Sequence, residues 1–273
     1  MIKRSIVNAS ACRRICRRIC RQTALAVVCL WTVLLPGCRN RQQVELTVSV
    51  AASLTGTIEQ VESNYSKQHP EVVFRNNFGS SGALAHQIQQ GAPVDLFLSA
   101  GAKPIKELVQ SGLARPEQVH TVLRNRLVLI VPAASTLTSV QQLNTDRVHR
   151  IALGDPQSVP AGLYALQTLT SSRLNEVLQP KFVFAKDVRQ VLAYVESGDV
   201  EAGFVYATDA RASSKARVAE TIDDAAHEPI VYPLAVLQQS RHGAEAQAFA
   251  QYLLAEEAGR IFTAQGFIAA AQP

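Results

Sequence analysis

Four short stretches put hydroxyls, glycines and small residues where an apolar run gives way to a helical pattern. They are AASLTGT (Ala51 to Thr57), GSSGAL (Gly79 to Leu84), DPQSVPAGLY (Asp155 to Tyr164) and AKDVRQVL (Ala185 to Leu192). The first turn of a helix leaves backbone N–H groups without partners and carries partial positive charge, so it can hold an anion without Lys or Arg. Several such ends facing one cleft would make an oxyanion site of neutral donors. In GSSGAL, Gly79 and Gly82 let the backbone approach a ligand closely, and Ser80 or Ser81 adds a hydroxyl donor. A serine ahead of a helix is more often a simple N-cap, so one junction alone decides little.

The same segment admits a second chemistry. Gly79-Ser80-Ser81-Gly82-Ala83 nearly matches the G-x-S-x-G turn of serine hydrolases, with Ala83 in place of the last glycine. A hydrolase using Ser81 would need a histidine and an acid, and His227 or His242 with Asp223 or Asp224 are the nominees, though none stands in a catalytic signature. The six histidines (His69, His86, His120, His149, His227, His242) are scattered without an H-x-x-x-H pair. Neither a cofactor nor direct protein–metal ligands are expected, and a binding function is favoured over an enzyme.

The elements that must position these residues alternate along the chain. VELTVSV (Val44 to Val50) leads into a helix carrying Leu54, Ile58, Val61 and Tyr65; EVVFRNNF (Glu71 to Phe78) leads into Ala83 to Gln90; VDLFLS (Val94 to Ser99) leads into Pro104 to Gln110. A second set starts at RLVLIVP (Arg126 to Pro132). It continues with IALGD before a helix from Gly162, and with FVFA before Asp187 to Glu196, where Val188, Val191, Leu192 and Val195 recur at i, i+3, i+4 and i+7. VEAGFVY (Val200 to Tyr206), IVYPLAVL (Ile230 to Leu237) and a helical stretch from Ala244 to Thr263 complete it. Such alternation predicts an α/β protein of two lobes, with a cleft suited to a small ligand between them.

The formal charge of +5 suggests an anionic polymer as partner only until its origin is traced. Seven Lys and Arg precede Cys38 and no acid does; without them 20 basic residues face 22 acidic ones, so nucleic acid is not expected. The basic start, the apolar run Thr23 to Leu35 and the small-residue end read as an export signal over residues 1–37. Leu35-Pro36-Gly37-Cys38 resembles the bacterial lipobox, which implies lipidation at Cys38, a tether over 38–43 and a membrane held through the lipid. The other four cysteines (Cys12, Cys16, Cys20, Cys29) all precede Cys38, leaving nothing after it for a disulfide.

Taken together and in order, AASLTG, FGSSGALAHQIQQGAPVDLFLSA, LGDPQSVPAGLYA, AKDVRQVLAYVESGDVEAGFVYATDA and IFTAQGF resemble the molybdate-binding proteins of bacterial ABC transporters, from Val44 to Phe267. The resemblance implies a two-lobed periplasmic binding protein (type II), each lobe a mixed sheet flanked by helices, with two hinge crossings. It implies a ligand, molybdate or tungstate, held by hydroxyl and N–H donors of Ser53 and Ser81, backbone N–H groups of Ala161 and Val188, and the phenol of Tyr206. Many members carry a further hydroxyl where this chain has Gly82. The expected lobes are 44–122 with 232–273, and 123–231. The expected partners are a membrane permease and its ATPase, served by a monomer in the cell envelope. A donor-only site would reject an oxyanion that still carries a proton, such as phosphate, whereas sulfate would have to be refused by size. A sulfate carrier therefore stays open as an alternative, while an iron carrier is disfavoured because the sequence shows no Tyr-Tyr pair.

Overall fold

The computed structural model describes residues 43–270. The expected signal (1–37), Cys38 and the tether up to residue 42 lie outside the described residues. Two sheets organise the chain. The first takes strands from both ends: β1 (Val44–Ala51), β2 (Val72–Gly79), β3 (Leu96–Leu98), β4 (Ala114–Arg124), β10 (Val231–Leu237) and β11 (Ile268–Ala269), in the order β11-β4-β10-β3-β1-β2. The second holds β5 (Leu127–Pro132), β6 (Ile151–Gly154), β7 (Phe182–Ala185), β8 (Ala202–Tyr206) and β9 (Ala216–Thr221), in the order β7-β6-β8-β5-β9. The chain passes from one sheet to the other at Asn125–Arg126 and returns along residues 222–230. The first crossing thus lies just past the expected Val122, because β4 continues to Arg124.

Both sheets are mixed. In the first, β1 pairs in parallel with β2 and β3, while β10 runs antiparallel to β3 and β4. In the second, β6 is parallel to β7 and β8, and β5 is antiparallel to β8 and β9. The fully buried strands β3, β6 and β8 are apolar runs that sequence pattern identifies, since strands covered on both faces carry few polar residues. Sequence pattern announces neither β4 nor β9. Their sequences, ARPEQVHTVLR and ARVAET, are polar and half exposed, and pairing with a neighbour rather than burial makes them strands.

The helices are α1 (Thr57–Gln68), α2 (Ser81–Gln89), α3 (Ala102–Gln110), α4 (Pro160–Ser171), α5 (Asn175–Leu178), α6 (Val188–Ser197), α7 (Ala207–Arg211), α8 (Gly243–Leu254) and α9 (Glu256–Ala264). The last two replace the single helix expected from Ala244 to Thr263. They are separated at Ala255, whose extended backbone (ψ 158°) interrupts the helix without a proline or glycine to announce it. Helix α6 follows its pattern closely. The Asp187 carboxylate caps it by accepting from the Gln190 N–H at 2.9 Å; Val188, Val191, Leu192 and Val195 are buried; and Gly198 closes it at φ 76°.

Strand ends are level where it matters. Ala51 is in register with Gly79, and Gly154 with Ala185, so β1 and β2 stop together, as do β6 and β7. The first turn of α4 can pack against the end of β6 because residue 162 is glycine. A Cβ there would stand 1.8 Å from the Gly154 carbonyl oxygen. Parallel strands that end together leave a crevice at their carboxyl ends, the usual ligand position in open α/β sheets.

Candidate functional site

Each of the five expected residues lies at or beyond the carboxyl end of a strand. Ser53 lies in a 3₁₀ turn (Ala52–Leu54) just after β1, not in α1, which starts only at Thr57 behind Gly56 at φ 83°. Ser81 is the first residue of α2 and Val188 the first of α6; Ala161 is the second of α4; Tyr206 ends β8. All five are buried, none more than 4% exposed. Ser53, Ser81, Val188 and Tyr206 line one small, tightly closed cavity, together with Ala51, Ala52, Gly79, Ser80, Ala100, Val159, Pro160 and Asp187. Ala161 does not line it, although its neighbour Pro160 does. No Lys or Arg is among the lining residues.

The cavity lies on a seam where the halves built on the two sheets touch. Across it, the Gly82 N–H donates to the Ser158 carbonyl at 2.8 Å, and the Tyr206 hydroxyl donates to the Ala100 carbonyl at 3.1 Å. Arg189 bridges as well, its Nε donating to Ala52 O at 3.2 Å and its Nη2 to Thr55 O at 2.9 Å. Gly82 permits this closeness, since a Cβ there would lie 2.6 Å from Ser158 O. Gly82 is therefore a point of backbone contact between the two halves.

Donors dominate the electrostatics. Ser81 Oγ accepts from the Ala100 N–H at 2.9 Å, so its own proton is free to point elsewhere. Burial, with Tyr232, Tyr164 and Asp209 nearby, holds the Tyr206 phenol well above the ordinary tyrosine pKa, so it stays a neutral donor. Asp209, in α7, is fully buried. Desolvation pushes its carboxyl up to about 7, although Arg189 Nε stands 3.8 Å away and the Tyr206 N–H donates to it at 3.3 Å. The first-turn N–H groups of Ala161 and Val188 have no carbonyl four residues back within their helices.

The hydrolase partners are not assembled around Ser81. His227 Nδ1 lies 2.7 Å from the Glu228 carbonyl and its ring packs against Tyr164; His242 precedes α8; and Ser81 Oγ bonds to a backbone N–H. Tyrosines do cluster, although none are adjacent in sequence. The Tyr206 and Tyr232 rings meet edge to face at 5.7 Å, but their hydroxyls bond to Ala100 O, Ser53 and Asn125. Sequence pattern missed Arg189, Asn125, Asp209 and Tyr232. Only Arg189 had a local signal, as the residue after Val188 in the DVR motif.

Comparison with known proteins places this geometry in context. Residues 46–268 match the family model described as bacterial extracellular solute-binding protein. The chain is 41% identical over 244 residues to the "Putative ABC transporter substrate-binding lipoprotein YvgL" of Bacillus subtilis, covering 87% of this chain and 94% of that one. It is 37% identical over 232 residues to the molybdate-binding protein ModA of Haemophilus influenzae, covering 82% and 90%. Among solved structures, the periplasmic molybdate-binding protein of Azotobacter vinelandii superposes with a TM-score of 0.74 at 29% identity, covering 82% of this chain and 99% of that one.

Proposed function

Because the chain belongs to the bacterial extracellular solute-binding protein family, we propose that it captures molybdate, and tungstate as well, in the seam cavity and hands it to an ABC permease driven by its ATPase. The observation that carries this reading is the meeting of Ser53, Ser81, Val188 and Tyr206 on one small cavity that has no Lys or Arg in its wall. Neutral donors suffice for a dianion because each hydrogen bond to a charged acceptor is strong in a dry site. The relatives named for molybdate support the choice of anion.

Capture works through the two halves. Those built on the two sheets act as lobes, and the crossings at Asn125–Arg126 and along 222–230 act as the hinge. Ser53 and Ser81 contribute from one lobe, and Ala161, Val188 and Tyr206 from the other. An anion that touches both favours the closed form by its differential affinity for it. The Tyr206 hydroxyl, bonded to Ala100 O, turns to the anion when one is bound. The protein works as a monomer and turns nothing over.

Lipidation at Cys38 holds the carrier at the cell envelope, supported by the Leu-Pro-Gly-Cys run and by the relative named a lipoprotein. Stable attachment needs the several acyl chains of a bacterial lipoprotein, since one binds only marginally. Among the described residues no helix is long and apolar enough to cross a membrane. Mass spectrometry of the mature N-terminus tests the anchor, and an unmodified N-terminus removes it.

Thermal unfolding of the ligand-free protein with molybdate, tungstate, sulfate and phosphate tests the main reading. At a thousandfold excess over Kd a selective ligand stabilises the native state by roughly 4 kcal/mol. Molybdate and tungstate raise the midpoint and phosphate does not. An equal rise with sulfate points to a general sulfate-type carrier, and no rise with any anion overturns the proposal.

A further inference from the structure

Behind Ser53 runs a chain of hydrogen bonds whose direction is set by its far end. The Arg126 N–H donates to Asn125 Oδ1 at 2.9 Å, which only the amide oxygen can accept, so the amide nitrogen must face the other way. Its two protons are both used, on Thr208 Oγ1 at 2.9 Å and on the Tyr232 hydroxyl oxygen at 3.2 Å. The Tyr232 oxygen therefore accepts from Asn125, and its single proton goes to Ser53 Oγ, 3.0 Å away. The reverse direction would aim the tyrosine proton at an amide proton and leave it buried and unpaired. Tyr232 and Asn125 are themselves buried, and burial holds the Tyr232 phenol well above its ordinary pKa, so it keeps its proton.

We propose that Tyr232, oriented by Asn125, is a positioning residue that turns the Ser53 proton into the cavity, so that preference for an unprotonated oxyanion is set one layer behind the ligand. Ser53 Oγ is already an acceptor from Tyr232, and its own proton has the cavity as its outlet. The bare dianion takes that proton; an anion bearing a hydrogen has to compete with it. The relay is anchored where the chain crosses between the sheets. Asn125 N–H reaches the Ile230 carbonyl on the returning crossing at 3.4 Å, and Thr208 belongs to the second half. This inference rests on the anion-binding reading above.

The test is a double-mutant cycle on the full protein, with molybdate and phosphate affinities measured by calorimetry at pH 7. Tyr232→Phe keeps the ring, which packs edge to face on Tyr206 and Phe267, and deletes only the hydroxyl. Molybdate affinity is expected to fall about tenfold, and the ratio of molybdate to phosphate affinity to fall by a similar factor. In a Ser53→Ala background the same substitution is expected to cost nothing, because Tyr232 acts only through Ser53. Asn125→Asp, which offers Tyr232 an acceptor and draws its proton away from Ser53, is expected to repeat that pattern without removing ring packing. Losses that multiply between Tyr232 and Ser53, or an unchanged anion ratio in Tyr232→Phe, overturn the relay. Failure of the unsubstituted protein to bind molybdate or tungstate overturns the underlying reading instead.

Discussion

The two walls of the seam cavity are built from different parts of the polypeptide. The wall after β1 and β2 offers side-chain hydroxyls, Ser53 and Ser81, each held from behind by a donor: the Tyr232 hydroxyl for one, the Ala100 N–H for the other. The facing wall offers first-turn backbone at Val188 and, one residue behind Pro160, at Ala161, with the Tyr206 phenol beside them. One wall is written in residue identity; the other is written in where helices begin. They should therefore fail differently, the first by losing a hydroxyl and the second by losing its position.

Position depends on how closely the two walls meet. Gly82→Ala places a Cβ 2.6 Å from Ser158 O and 2.7 Å from Ser158 Cα, both backbone atoms of the opposite wall. Such overpacking costs about 1–3 kcal/mol, and here the cost falls on the closed form. Molybdate affinity measured by calorimetry should drop by up to about 100-fold, with the unfolding midpoint of the ligand-free protein nearly unchanged. An unchanged affinity would mean that the halves need not meet this closely to hold the anion.

Substitutions of identity sharpen the contrast. Ser81→Ala removes a hydrogen bond to a charged ligand, worth about 1.5–3 kcal/mol, so affinity should fall about 10- to 100-fold. Val188→Ala leaves the backbone donor in place and deletes only buried methyl groups. It should cost about 2 kcal/mol of stability while changing affinity less than about threefold. Equal losses from both in the same titration would erase the distinction between the walls.

Legibility followed the same division. Hydroxyls, glycines and caps at strand-to-helix junctions are local signals, and they mark the junctions that hold Ser53, Ser81 and the start of α6 without reference to any distant residue, whereas the choice of Ser53 and Ser81 within them comes from the family resemblance. Tyr232 carries no local signal within the strand IVYPLAVL, because its bond to Ser53 spans 179 positions in sequence. Arg189 stood beside a marked residue, but its carbonyl partners lie 134 and 137 positions away. Strands β4 and β9 escaped because polar half-exposed segments acquire extended structure from their neighbours and carry no strong period of their own. Local chemistry was visible in the sequence; the contacts that hold it in register were made by the fold.

Arg189 links the two walls and should give a smaller effect than either. Arg189→Ala deletes the bonds to Ala52 O and Thr55 O without removing any proposed ligand contact. Because the side chain is partly exposed, the cost is modest, about 1 kcal/mol or roughly fivefold in affinity. Small-angle scattering of the ligand-free variant should show a larger radius of gyration than the unsubstituted protein. An unchanged radius would mean that the other seam contacts suffice for closure.

The smallest effect separates two acids with similar pKa values. Burial pushes both Asp209, beside Arg189, and Glu62, in α1 away from the cavity and bonded to Asn76 Nδ2 at 2.7 Å, up to about 7. Between about pH 4, where these carboxyls ionise in the unfolded chain, and about pH 7, the folded state binds more protons, so both contributions to stability are lost as pH rises. Asp209→Asn and Glu62→Gln should each flatten that decline in a series of unfolding midpoints. Only Asp209 adjoins the cleft, where its ionisation adds a negative charge near the anion. Molybdate affinity should therefore weaken by about twofold to threefold from pH 6 to pH 8, and Asp209→Asn should abolish that change whereas Glu62→Gln preserves it. A pH dependence of affinity that survives Asp209→Asn would place the titrating group elsewhere and free the second wall from any electrostatic role for its buried acid.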